Sequence, residues 1–121
     1  MNKESAEEVF YDDLAATLRH WESASVEALT DPEADLTWCD TPEAFRSVQT
    51  RLRTEHDRAE VARCMSVILR GFAHSILVSL DGGTKMAETQ TLKLVAGDGT
   101  VLSSALHEGF IDYLIREGHL E

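Results

Sequence analysis

An α+β fold, predominantly helical, is what this sequence predicts: three or four helices around a long central helix, with one small antiparallel hairpin. Three observations lead there. Apolar residues recur at helical spacing through residues 5–29 and again through 58–80. Asp31-Pro32 and Asp81-Gly82-Gly83 close those two runs. Gly97-Asp98-Gly99 then separates two short apolar segments, as a hairpin turn does. The 121 residues are the size of one domain, and no repeat or linker divides them, so 1–121 reads as a single domain.

The first helix is expected over Ser5–Leu29, with Phe10, Leu14, Leu18, Trp21, Ser25 and Ala28 on its buried face. Asp31-Pro32 ends it, because proline removes a backbone donor and disfavours helix in the residue before it. A loop through Trp38-Cys39-Asp40 follows. Thr41-Pro42-Glu43 opens a second helix, with Thr41 as cap, Pro42 in the first turn and Glu43 complementing the positive helix end. Ala44, Phe45, Val48 and Leu52 form its apolar stripe, and Arg46, Arg51 and Arg53 fall on its wet side, with pairing to acids of the first helix as the alternative.

Asp57 and Glu60 have the spacing of a capping box at the head of the central helix, Arg58–Leu80. Val61, Cys64, Met65, Ile68, Leu69, Phe72, Ile76 and Leu80 cover most of its circumference, which predicts a helix buried in the core, Ile68, Phe72 and Cys64 included. Residues 71–80 also suit a buried strand in a small sheet, and that is the alternative. With Asp98-Gly99 as a two-residue turn, Leu92, Leu94, Ala96 and Val101 share the inner face of the hairpin. Ser103 or Ser104 caps a last helix that turns Leu106, Phe110, Tyr113 and Leu114 inward and closes at Gly118.

Charge is unevenly distributed within the net −11. Residues 1–45 hold 12 acidic and 2 basic side chains, residues 46–72 are net +3, and residues 73–121 are net −4. Such a surface repels a phosphate backbone, so no nucleic-acid partner is expected. It attracts a basic protein and speeds encounter with one. The first eight residues are polar and acidic rather than signal-like, and the longest uncharged apolar run, residues 71–80, is far short of the roughly 20 residues that span a bilayer. No membrane association and a cytoplasmic location are the corresponding expectations. Cys39 and Cys64 are too few for a disulfide framework or a four-ligand zinc site, and read as reduced thiols.

Three partial motifs fail on a required residue. His107-Glu108 starts the zinc-protease pattern, but Ile111 stands where the second histidine belongs. Gly82-Gly83-Thr84-Lys85 has the wrong order for a phosphate loop, and Asp98-Gly99-Thr100 lacks the oxygen ladder of a calcium loop. What remains is a polar stripe, Arg63, Ser66, Arg70, His74 and Asp81, on an otherwise apolar helix. Arg70, His74, Asp81, His107 and Glu108 are therefore the candidate binding residues; no catalytic residue, metal ligand or cofactor is assigned.

The stretch Leu69–Thr84, with Leu106-His107-Glu108-Gly109-Phe110 after it, resembles a group of small bacterial proteins in its C-terminal half. Acidic bacterial proteins of this size include immunity proteins, which neutralise toxin domains. The expected function is a non-enzymatic acidic interaction protein, in its most specific form an immunity-type inhibitor of a basic toxin or nuclease domain. One alternative is a small enzyme or ligand- or metal-binding domain using His74, Asp81, His107 and Glu108. The other is a subunit of a homodimer whose long helices pack together.

Overall fold

The computed structural model of the chain describes residues 5–120. Among them are four α-helices, α1 (Ala6–Thr30), α2 (Pro42–Gln49), α3 (Glu55–Leu80) and α4 (Leu106–Arg116), with a short 3-10 turn over Lys85–Glu88. The fold is predominantly helical, and no strand forms among the described residues. Residues 71–80, which also suited a strand, are helical throughout. The chain divides into two compact units: residues up to Ala16 together with 71 onward, and Thr17–Arg70.

In the first unit, Tyr11, Ala15, Ala73, Leu77, Leu102, Leu106, Phe110, Tyr113 and Leu114 are buried. Ser5 caps α1 by accepting the Glu8 N–H. The aromatic rings are interlocked, with Tyr11 5.7 Å from Phe110 and 5.9 Å from Tyr113. Polar contacts frame them: the Tyr113 hydroxyl donates to Asp12 at 2.8 Å, and Arg116 pairs with Glu8 at 2.8 Å. The bond to Asp12 holds the Tyr113 phenol in its neutral form and pushes its pKa up to about 12. Gly109 is needed here, since a side chain at that position would overlap the Tyr11 hydroxyl.

The expected hairpin reduces to a single antiparallel bridge, Val95 to Val101. Its turn has three residues rather than two: the Gly99 N–H reaches the Ala96 carbonyl, and Gly99 takes a φ of 89°. One extra turn residue moves the returning segment by one position and exchanges its faces. Leu102 is buried instead of Val101, while Val95, Val101 and Leu92 are exposed.

In the second unit Ala28, Ala34 and Leu36 form the core, with Cys39 and Phe45 packed against it. Trp21, expected inside, is exposed and meets the edge of Trp38 at 5.7 Å. Arg46 is not a free wet-side charge: its guanidinium donates to the Pro32 and Ala34 carbonyls at 2.6 and 2.8 Å and fastens the loop before α2. Gln49, an unexpected buried residue on α2, donates to the Ala28 carbonyl at 2.7 Å. The Thr41 hydroxyl makes no capping bond to α2 and donates to Glu43 instead.

Helix α3 begins three residues before its expected start. Thr54 accepts the Asp57 N–H at 3.0 Å, and the Asp57 carboxylate accepts the Thr54 N–H at 3.2 Å. This is a reciprocal capping box with Asp57 as its closing rather than opening residue. Those bonds hold the Asp57 carboxyl below the usual carboxylate range. At the other end Gly82, with a φ of 83°, lets the Gly83 N–H reach the Val78 carbonyl at 2.9 Å.

Candidate functional site

Four of the five sequence-predicted residues, His74, Asp81, His107 and Glu108, come together in the first unit, and Asp81 organises them. The glycine turn after α3 leaves its carboxylate facing the start of α4. One oxygen accepts the Leu106 N–H at 2.9 Å; the other accepts the His107 N–H at 2.8 Å and meets the His107 Nδ1 at 2.5 Å. With its side chain only 3% exposed, Asp81 caps α4 and complements the positive end of that helix. The cap expected from Ser103 or Ser104 is therefore supplied from 25 residues away; Ser103 accepts the Ala105 N–H instead.

His107, bonded through Nδ1 to Asp81, has its Nε2 3.9 Å from the Glu108 carboxylate, within ion-pair reach. The His74 ring lies edge-on to His107 with centroids 5.5 Å apart. Nearby acids also act on Tyr11, whose phenol is held above its ordinary range by burial first, then by Glu7 and Asp81. Arg70 makes no hydrogen bond or ion pair with a described residue.

An Asp–His pair of this kind fixes an imidazole for acid–base work, yet a base needs a proton to take. Among the described residues no hydroxyl or thiol bonds His107 Nε2, and no three His, Cys, Asp or Glu side chains are grouped to hold a metal ion. Both Asp81 oxygens are committed to the α3–α4 connection. A cleft of about 840 Å³ in the second unit is lined by none of the five residues.

A second feature was hidden in the sequence. Ala73 and Leu77 are the buried residues of α3, whereas Val67, Ile68, Phe72 and Ile76 are 59, 60, 67 and 46% exposed. At 100° per residue Cys64, Ile68 and Phe72 lie on the side of α3 away from Ala73 and Leu77, while Val67 and Ile76 stand at its two margins, 180° apart. Ile68, Phe72 and Cys64 are thus not core residues. An apolar circumference carries no signal of which side of a helix is covered. By length and composition α3 is also apolar enough to cross a membrane, which the count of uncharged residues alone did not reveal.

No family model, curated protein or solved structure matches the chain.

Proposed function

We propose that this chain is a non-enzymatic protein-interaction module whose contact surface is the outer face of α3. The observation that carries the reading is the exposure of Ile68, Phe72 and Ile76 at successive four-residue steps of a single helix, with Val67 exposed beside Ile68. Contiguous apolar surface beyond a few hundred Å² on a folded protein marks an association site, whereas scattered exposed residues do not. The saturated Asp81 carboxylate supports the same reading, because it gives His107 a structural partner without any reacting group.

The more specific identity, an immunity-type inhibitor of a basic domain, rests on the 12 acidic side chains among residues 1–45. Affinity purification from the native host with wild-type chain and with an Ile68→Glu/Phe72→Glu variant as bait tests the reading. Protein retained by the wild type, further copies of the chain included, is expected to be lost from the variant. Equal retention by both baits would overturn the assignment of α3. Release of a captured basic protein by salt is the result expected of the immunity-type identity.

A further inference from the structure

We infer that the second unit carries a binding cleft for a small diphosphate-bearing molecule, built from Arg46, Arg53 and Arg58. The three arginines line one cleft of about 510 Å³, within the roughly 300–1,000 Å³ of small-molecule sites. All three are exposed, so a solute reaches them directly. No described acidic residue lines the cleft, although the chain holds 22 acidic against 11 basic side chains. Asp31 and Glu55 stand on the larger cleft, which shares Thr30 and Arg58 with this one, and they pair with neither Arg53 nor Arg58.

Hydrogen-bond capacity narrows the ligand. The two hydroxyls of the cleft have spent their protons inside the fold: Thr30 donates to the Val26 carbonyl and Thr50 to the Ser47 carbonyl, both at 2.6 Å. Gln49 donates to the Ala28 carbonyl. Arg46 is fixed in place by the Pro32 and Ala34 carbonyls and by the Gln49 side chain, which take three of its five N–H groups. The guanidiniums of Arg53 and Arg58 bond no described residue. What the cleft offers is therefore chiefly positively charged N–H, and the ligand that satisfies it is an acceptor with several negative charges.

The charge balance sets how many. Helices α1 and α2 end at the cleft, at Thr30 and Gln49. Each helix end brings about half a negative charge, so that three guanidiniums still leave about +2. A diphosphate answers that excess, and a neutral or cationic group does not. Guanidinium forks match phosphate oxygens in pairs, and the volume leaves space beside a diphosphate for the organic part of the molecule.

Isothermal titration of the full chain with inorganic pyrophosphate, at about 0.15 M salt so that diffuse attraction is screened, tests the site. One saturable site is expected, with a dissociation constant below about 1 mM and tighter than that for inorganic phosphate or citrate. Arg53→Gln and Arg58→Gln are each expected to weaken it about tenfold, through the loss of a charge-assisted bond, with an unchanged melt because neither guanidinium holds the fold together. Arg51→Gln removes the same charge from a residue outside the cleft and is expected to leave the affinity nearly unchanged. Absence of saturation at about 10 mM pyrophosphate would overturn the inference. An equal loss in Arg51→Gln and the two cleft variants would overturn it as well, by reducing the binding to diffuse charge. Tighter binding of citrate than of pyrophosphate would overturn the diphosphate class.

Discussion

Asp81 joins the end of one helix to the start of another through three donors, all within 2.9 Å of its carboxylate. Replacing it with Ala would leave two amides at the α4 N-terminus without their acceptor. The expected loss is roughly 2–3 kcal/mol, read as a lower urea midpoint, with Asp81→Asn losing less because one oxygen remains. An unchanged midpoint for Asp81→Ala would remove its role as the cap. The sequence singled out His74 and Asp81 from a polar stripe that runs to the end of α3, and His107 and Glu108 from a broken zinc motif. Their convergence was not legible, because the 26 residues from Asp81 to His107 carry no periodic pattern that fixes a path. Gln49 and Arg46 were missed for the same reason: their partners are carbonyls of a loop, which side-chain patterning does not report.

Helix α3 separates what periodicity can and cannot say. Its existence, its glycine stop and the inward face of α4 were legible, since spacing and glycine act locally. Its start was misplaced by three residues because Asp57 suits either end of a capping box, and Thr54 decided which. Which side of it is buried was not legible, since an apolar circumference carries no directional signal. Leu77, at 1% exposure, and Phe72 now divide the two faces. Leu77→Ala is expected to cost about 2–5 kcal/mol through the cavity it leaves, and Phe72→Ala less than about 1 kcal/mol at a concentration where single chains prevail. Urea melts of the two variants compare them directly. A larger loss for Phe72→Ala would place the outer face inside the fold. The Gly97–Gly99 turn makes the same point on a smaller scale, since one residue in the loop decided that Leu102 rather than Val101 is buried.

For the whole molecule, charge and apolar surface assign different tasks to different parts of the chain. The net −10 of residues 1–45 attracts basic surfaces and repels acidic ones, while no acidic residue stands between Glu60 and Asp81. Cys64 provides a native reporter for the apolar surface, because it is exposed on the side of α3 that carries Ile68 and Phe72. Peptide-resolved alkylation of the unmodified chain, alone and with a captured partner, measures whether that face is open and whether it becomes covered. A docking surface on α3 predicts fast labelling of Cys64 in the chain alone at about 1 µM and several-fold protection once a captured partner is bound, with Phe72→Ser labelling fast in both. Labelling of Cys64 that is slow in the chain alone, or equally fast with a captured partner present, would contradict it.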